Sequence, residues 1–507
     1  MNSGLPQGFK LRVRTGCNTC RIRKVKCDEG KPTCQRCTST SRTCDGYSRS
    51  PSRGSPIRSP PTRSLSPSFI ALPVFDDDQQ RSLFRFFVSC TAVVAPIYYG
   101  KDFWSRRVLQ LSLSEPAVRY AICGLSALHR MFRAAQENTL SPDLLIGVSR
   151  SYALQQYNLA VNHTHKLITE SLSGAGEKIV QGLVACILFV CFENQIGNFQ
   201  MAQVHLQHGL KILALRAMAV QSGGEQVPSD IQDVFHRLDL QAMSFADDTA
   251  PYLYDASPEK IELDTTRSQF ESLDEAGSSL IRIFRWSFRK ASECEPNPIS
   301  YEDLEVCTIA LSIWTDNFAD FMARLSQEAT EKSKRTITLL GMYQRVIHVM
   351  LSVGLYGEEC RNDSCETTFS EIVHLGEQAL ANGKSVMVEG GTNIYSFEMG
   401  VICPLFVVGI KCRNPRIRRH ALKLLKDMRL QEGSWESIAA ARTAEFVIEI
   451  EEQGLAITDA SQIRECARVH ITNVSVDAEH RRVKVSCLLC LSTEETSWYF
   501  RKRVISY

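Results

Sequence analysis

Six cysteines close to the amino terminus have the residue type and the spacing of metal ligands. Their pattern is C-x2-C-x6-C-x6-C-x2-C-x6-C, and they are Cys17, Cys20, Cys27, Cys34, Cys37 and Cys44. A two-residue gap lets two neighbouring thiolates bind one ion, and a six-residue gap returns the chain with a third. Because tetrahedral zinc takes four ligands, two ions need more ligand positions than six sulfurs provide, and two thiolates would have to bridge. A single mononuclear site would instead leave two thiolates unused.

The same segment lacks the apolar side chains of an ordinary core. Between Cys17 and Cys44, only Ile22 and Val25 are aliphatic residues larger than alanine. Burying both would stabilise the segment by about 3–6 kcal/mol, whereas one structural zinc ion contributes about 10–16 kcal/mol in a small domain. Disulfides are the alternative, but no apolar run typical of a secretory signal follows the first basic residues. We therefore expect a reducing compartment, in which cysteines bind metal rather than pair.

The charge of the chain is divided unevenly along its length. The net charge of 507 residues is +2. Residues 1–68 contain 14 Lys and Arg against 3 Asp and Glu, and the remaining chain contains 44 against 53. Such a basic segment favours a polyanionic partner, either nucleic acid or a membrane surface.

In its cysteine spacing and its basic residues, this segment resembles the fungal binuclear zinc cluster family of DNA-binding transcription regulators. The resemblance covers about residues 17–47: all six cysteine positions, the basic run RIRKVK between the second and third cysteines, and the pair Lys31-Pro32. It implies two Zn²⁺ ions, with Cys17 and Cys34 as the bridging ligands. It also implies a nuclear, sequence-specific regulator of RNA polymerase II transcription.

The resemblance further assigns the residues that contact DNA. Lys24, with Arg23 beside it, occupies the position that reaches base edges in the major groove, usually at a CGG triplet. A lysine can donate to guanine O6 and N7, and Arg21, Lys26 and Arg42 are placed as phosphate contacts. The expected partner is therefore double-stranded DNA with CGG-type half-sites. The alternative is a zinc-folded adaptor that binds protein or RNA without recognising a DNA sequence.

Composition divides the chain into five segments. The predicted fold class is mostly α, with a small zinc cluster before a large helical body. Residues 48–68 contain 8 Ser, 5 Pro and 4 Arg, a composition typical of a disordered linker. The segments are a basic arm over 1–16, the zinc cluster over 17–47, the linker over 48–68, the helical body over 69–460 and a carboxyl-terminal tail over 461–507.

Apolar periodicity predicts several elements of the body. One helix starts at Pro116 behind a capping side chain, and another starts at about Phe199. A third is capped by Ser434 and ends at Gly454. Its solvent-facing acids would be Glu449, Glu451 and Glu452. Alternation over residues 468–485 predicts a β hairpin, and no apolar run reaches the roughly 20 residues of a membrane span.

The body offers no catalytic constellation. The pairs His163-x-His165 and Cys487-x2-Cys490 lack further ligands nearby in the sequence, and no Gly-rich phosphate loop, GxSxG or HExxH motif occurs. We therefore predict that the protein is not an enzyme.

Three short sequence segments of the body more loosely resemble the regulatory middle region of the same fungal regulators. They are Tyr152–Tyr157, Phe189–Asn194 and Phe235–Gln241. The resemblance implies an all-helical body that controls the DNA-binding segment, with the transcription machinery and a small-molecule effector as further partners. Many relatives carry a heptad coiled coil after the zinc cluster, whereas this linker lacks apolar a and d positions. Homodimerisation through the body and monomeric binding both stay open.

Overall fold

The structure is a computed structural model. It describes residues 15–47, 75–94, 100, 102–137, 142–171, 176–220, 226–244, 269–294, 299–325, 330–354, 358–383, 395–477, 480–492 and 497–507. The chain forms two compact units, residues 1–70 and residues 71–507, which we call the head and the body. The predicted linker over 48–68 and most of the predicted arm lie outside the described residues.

Helices dominate the body, and the head contains two short ones, which confirms the predicted fold class. The head contains α1 (Asn18–Ile22) and α2 (Gln35–Thr38). The body contains α3 (Asp78–Phe86), α4 (Ala92–Val94), α5 (Val108–Ser114), α6 (Pro116–Glu137), α7 (Pro142–Ser171), α8 (Gly176–Ile196), α9 (Phe199–Val220), α10 (Ser229–Ser244), α11 (Leu273–Cys294), α12 (Tyr301–Arg324), α13 (Glu331–Val353), α14 (Glu366–Gly383), α15 (Ile402–Lys411), α16 (Pro415–Met428) and α17 (Ser437–Glu452). Its strands are β1 (Tyr395–Ser396), β2 (Gln431–Glu432), β3 (Trp435–Glu436), β4 (Val469–Asp477), β5 (Arg482–Ser492) and β6 (Ser497–Ser506).

Two clusters of buried apolar side chains hold the body together. The first lies mainly among α3 to α10 and includes α8, which is buried without interruption over residues 181–194. The second lies mainly among α11 to α17 and extends into the carboxyl-terminal sheet. Continuous burial explains why α8 is apolar on every side rather than on one stripe.

Among the described residues, two helical segments are long and apolar enough to cross a membrane by length and composition. They are Lys178–Ile196 and Ser333–Val353, and 78 % and 61 % of their most apolar windows are buried inside the protein. The sequence analysis counted uninterrupted apolar runs, and polar residues interrupt both segments, so it identified neither of them. Their burial is that of core helices in a folded body.

The predicted β hairpin is confirmed, but the sheet is larger than the sequence indicated. Strands β4, β5 and β6 form an antiparallel sheet in that order, and the prediction missed β6. The inner face of β5 is buried in the second apolar cluster through Val483, Val485 and Leu489. The sheet therefore packs against the second apolar cluster of the body.

The helix start predicted at Pro116 is confirmed, and the capping side chain is that of Glu115. The Glu115 carboxylate accepts a hydrogen bond from the Ala117 N–H at 3.2 Å, while the Ser114 hydroxyl donates to a carbonyl of the preceding helix. The predicted start at Phe199 is also confirmed.

The predicted cap and solvent face of α17 are wrong in part. Ser434 lies in the turn between β2 and β3, and α17 begins at Ser437 without a side-chain cap. Glu451 and Glu452 are only 3 % and 6 % exposed. Arginines of the neighbouring α16 region pair with both carboxylates, so the charges can be buried. Glu449 is exposed, as predicted.

Candidate metal and DNA-binding site

Each of the two short helices of the head begins directly after a cysteine. Cys17 is the N-cap of α1, and its sulfur accepts a hydrogen bond from the Cys20 N–H at 3.4 Å. Cys34 stands in the same position before α2, with Cys37 in the first turn. An N-cap side chain and a side chain three residues later lie on the same side of the first turn. The C-x2-C spacing therefore brings two sulfurs together at each helix start.

The six sulfurs form two groups of four that share two members. One group contains Cys17, Cys20, Cys27 and Cys34, and the other contains Cys17, Cys34, Cys37 and Cys44; within each group all sulfurs lie within 4.8 Å of one another. The shared sulfurs are those of Cys17 and Cys34, which are 3.6 Å apart. These are the two residues to which the family resemblance assigned the bridging role.

The separations between sulfurs fit tetrahedral zinc. Zinc–sulfur bonds of about 2.3 Å place the sulfurs of a tetrahedron about 3.8 Å apart. The Cys20–Cys34 separation is 3.7 Å and the Cys17–Cys37 separation is 3.9 Å. The thiol set therefore fits a cluster of two Zn²⁺ ions, and each ion would have four sulfurs around it.

Sulfur forms the interior of the head. Cys17, Cys20, Cys34 and Cys37 are 0 % exposed and constitute its buried cluster. The two aliphatic residues do not contribute a core, because Ile22 is 79 % and Val25 is 37 % exposed. Metal ligation is therefore the stabilising interaction that remains available to this segment.

The thiols differ in how readily they ionise. Burial raises the pKa of Cys34. The backbone N–H of Cys17 lies 3.5 Å from the sulfur of Cys27 and lowers the pKa of that thiol to about 6. Because thiolates are the ligating form, metal binding releases protons from the more buried sulfurs.

Polar contacts around the sulfurs connect the two halves of the head, and the sequence analysis missed them. The Asp28 carboxylate accepts hydrogen bonds from the backbone N–H groups of Gln35 and Arg36, both at 2.9 Å, and these bonds lower its pKa. The Tyr47 hydroxyl donates to the Gly30 carbonyl at 2.9 Å. The acidic residue Asp28, which directly follows the third cysteine, is the sequence feature that could have indicated the first of these contacts.

The basic run continues from the end of α1 through a tight helix-ending turn. The Lys24 N–H donates to the Arg21 carbonyl at 3.2 Å, and the Val25 N–H donates to the Cys20 carbonyl at 3.1 Å. This pair of bonds is a Schellman motif, in which the penultimate residue adopts a left-handed backbone and is commonly glycine. Here that residue is Lys24, with a φ of 57°.

The predicted DNA contacts lie in different surroundings. The side chains of Arg21, Lys24, Lys26 and Arg42 are exposed. Arg23 is half-buried and donates to the Thr40 hydroxyl, in the second half of the head, at 3.3 Å. The head therefore presents a cationic surface beside a thiol cluster.

A two-metal thiolate cluster next to an exposed cationic turn, in a chain with a large helical body, defines the class of zinc-cluster regulators. The sequence matches the description "Fungal Zn(2)-Cys(6) binuclear cluster domain" over residues 15–54. It matches "Fungal specific transcription factor domain" over residues 82–449, more than half of the chain. The chain belongs to the family of fungal Zn(2)-Cys(6) DNA-binding transcription regulators.

Several curated proteins are similar to this chain. The "Aspercryptin biosynthesis cluster-specific transcription regulator atnN" of Emericella nidulans is 26 % identical over 428 residues, which cover 77 % of this chain and 67 % of that protein. The "Transcription regulator lscL" of Purpureocillium lilacinum is 32 % identical over 38 % of this chain and 47 % of its own length. The "Zn(2)-C6 fungal-type transcription factor afumD" of Aspergillus fumigatus is 36 % identical over 24 % of this chain and 34 % of its own length. No solved structure matches.

Proposed function

We propose that the protein acts in the nucleus as a sequence-specific regulator of RNA polymerase II transcription, and that its head recognises CGG-type triplets in the major groove of DNA. The observation that carries the proposal is the pair of overlapping thiol groups sharing Cys17 and Cys34, with an exposed basic turn at the end of α1. In this proposal all six cysteines ligate the two Zn²⁺ ions, and the ions fix the shape of that turn.

Lys24 is the proposed base-contacting residue. Its exposed ammonium group can donate to guanine O6 and N7 in the major groove. The left-handed backbone at Lys24 supports this role, because strained conformations at non-glycine residues are concentrated at functional sites. Arg23 lies beside it and is held by Thr40, so its guanidinium group would contact DNA from a fixed position.

Arg21, Lys26 and Arg42 are the proposed phosphate contacts. All three are exposed, and cationic side chains that contact phosphates position a protein without specifying sequence. Each contact releases counterions, so removing one should weaken binding to all duplexes and reduce the salt slope of log K by about 1.

The domain organisation proposed from the sequence assigns DNA recognition to residues 17–47 and regulation to the predicted helical segment over residues 69–460. The family supports contact with the transcription machinery. A homodimer through the body and a small-molecule effector are proposed as further levels of control.

Selection of duplex sites from a random pool, with the full-length zinc-loaded protein, tests the proposal. The expected result is enrichment of CGG-type triplets, and the spacing between them would report monomeric or dimeric binding. Lys24→Ala should lose the preference for CGG over scrambled duplex. Arg36→Ala is the matched control, since Arg36 is an exposed cation of the head that the proposal does not assign to bases. Equal binding to CGG and scrambled duplexes would favour the zinc-folded adaptor.

A further inference from the structure

The carboxyl-terminal sheet buries one face and leaves an apolar row exposed on the other. On the inner face of β5, Val483 and Val485 are 0 % exposed. On the outer face of β6, Trp498, Phe500 and Val504 are 48 %, 54 % and 62 % exposed. Since side chains alternate between the faces of a strand, these three residues project from the same side.

The exposed row continues across the sheet. Phe500 is paired with Leu488 of β5, and Leu488 is paired with Ile471 of β4. Both aliphatic residues are half-buried. Contiguous apolar surface of this kind on a folded protein marks an interaction site more often than isolated exposed residues do.

Strand β6 is also an edge strand. Its ten residues pair with β5 on one side. Among the described residues no strand pairs with its other side. An unpaired edge presents backbone N–H and C=O groups that can bind an additional extended chain.

The outer face carries positive charge. Lys502 projects from β6, and its Nζ lies 5.5 Å from the centroid of the Phe500 ring. Pairing places Arg482 and Lys484 of β5 on the same face. Of the described residues of the three strands, Asp477 is the single acid on this face. The exposed row is therefore apolar, and lysine and arginine side chains lie beside it on the same face.

We propose that β6 is a docking edge for an extended acidic segment of another protein, in which acidic residues alternate with apolar ones. The peptide would add as a strand beside β6, with its apolar side chains on the outer face against Phe500 and Val504. Because side chains alternate between the faces of a strand, its carboxylates would lie on the other face, beside the exposed Arg501 and Arg503 of β6. This partner goes beyond the proposed DNA-binding function and does not depend on it.

Charge argues against a second copy as the occupant. In an antiparallel pairing of β6 with itself that places Phe500 opposite Val504, Lys502 would face the Lys502 of the other copy. Like charges directly opposite each other destabilise a strand pair, and edge lysines commonly prevent such pairing. An acidic strand meets no such repulsion, and Arg501 and Arg503 on the other face attract its carboxylates.

Fluorescence anisotropy with the full-length, zinc-loaded protein tests the proposal. The probe is a labelled peptide of about ten alternating glutamate and valine residues, a length that matches the edge strand. A lysine–valine peptide of the same length is the control. The expected result is saturable binding of the glutamate peptide, weakened by salt, and no saturable binding of the lysine peptide.

Matched variants locate the binding surface. Arg501→Glu and Phe500→Ala should each weaken binding of the glutamate peptide by about tenfold or more, as loss of a central interface residue does. Lys211→Glu and Leu215→Ala, at exposed positions of α9, should leave the affinity unchanged. Far-UV circular dichroism checks that the substitutions preserve the fold, which their exposure predicts.

Four results would overturn the proposal. The first is failure of the glutamate peptide to bind, and the second is equal binding by the β6 and α9 variants. The third is tight binding of an oligothymidylate that Phe500→Ala abolishes, because the face would then be a stacking platform for single-stranded nucleic acid. The fourth is self-association of the wild-type protein that Phe500→Ala removes, since the occupant would then be a second copy.

Discussion

Substituting Lys24 by glycine separates the two roles that this position combines. The Schellman turn requires a left-handed backbone at Lys24, and the proposed function requires its ammonium group. Glycine meets the first requirement better than lysine and cannot meet the second. The head should therefore become more stable and bind its DNA site more weakly.

The size of each effect follows from the geometry. Holding a non-glycine residue in the left-handed region costs about 1–2 kcal/mol of folding free energy. Glycine avoids this cost, but its unfolded chain has more conformational freedom, which offsets about 0.4–1 kcal/mol of the gain. The net gain is about 1 kcal/mol, or roughly fivefold in the equilibrium for zinc-coupled unfolding of the head. Loss of a bidentate base contact costs about 1–3 kcal/mol, a decrease of about 5- to 150-fold in affinity for a CGG duplex.

Two assays on the full-length protein measure the two effects. Zinc transfer to a chelating dye reports unfolding of the head, and titration with CGG and scrambled duplexes reports specific affinity. Lys24→Ala is the matched control, because alanine removes the ammonium group but keeps a Cβ in the left-handed conformation. Both variants should lose specific affinity to a similar extent, and only Lys24→Gly should retain zinc more strongly than wild type.

Either half of the reasoning can fail by itself. Unchanged preference for CGG in Lys24→Gly would refute the base contact. Equal zinc retention in the glycine and alanine variants would refute the argument from backbone strain.

Three further predictions concern the metal and the body. Chelation of zinc should unfold the head and abolish DNA binding while the helical signal of the body persists in circular dichroism, because the predicted ligands all lie in the head. Cys34→Ser should lose both zinc ions and Cys44→Ser one, as counted by native mass spectrometry, because Cys34 belongs to both thiol groups and Cys44 to one; equal losses would contradict the bridging assignment. Glu451→Ala should destabilise the body by about 3–5 kcal/mol in urea unfolding, since two buried arginines each lose one of their carboxylate partners, whereas exposed Glu449→Ala should cost at most about 1 kcal/mol. Burial alone would raise the pKa of Glu451, but the arginines hold that pKa below its ordinary value, so this stabilisation is present at neutral pH and is lost as the pH falls through the folded-state pKa.

The thiol arrangement was predictable from the sequence because its geometry is local. A helix start places the two sulfurs of a C-x2-C unit together, and the unit occurs twice within 28 residues from Cys17 to Cys44. The polar contacts were not predictable in the same way. Asp28 accepts from the start of α2 only once the chain has folded back, and no periodicity records that contact.

In the body, prediction from local sequence patterns failed where residues far apart in the chain pair with each other. The acids at the end of α17 have the pattern of a solvent-facing edge, yet Glu451 is buried because Arg413 and Arg418 reach its two carboxylate oxygens at 2.6 and 2.7 Å. These arginines lie more than 30 residues away in the sequence. Strand β6 was missed for a related reason: its exposed face carries Trp498 and Phe500, so it lacks the simple alternation of polar and apolar residues that identifies a half-buried strand.

The head and the body owe their stability to different physical sources, and this separates the two proposals experimentally. The head has a sulfur interior that depends on metal, whereas the buried clusters of the body contain none of the six head cysteines. Removing zinc should therefore abolish DNA binding and leave the affinity of β6 for an acidic peptide unchanged. Conversely, Arg501→Glu should weaken binding of the acidic peptide and leave zinc content and CGG affinity unchanged. If chelation instead removed both activities, the acidic peptide would be binding the cationic surface of the head, and the assignment to β6 would be wrong while the DNA-binding proposal stood.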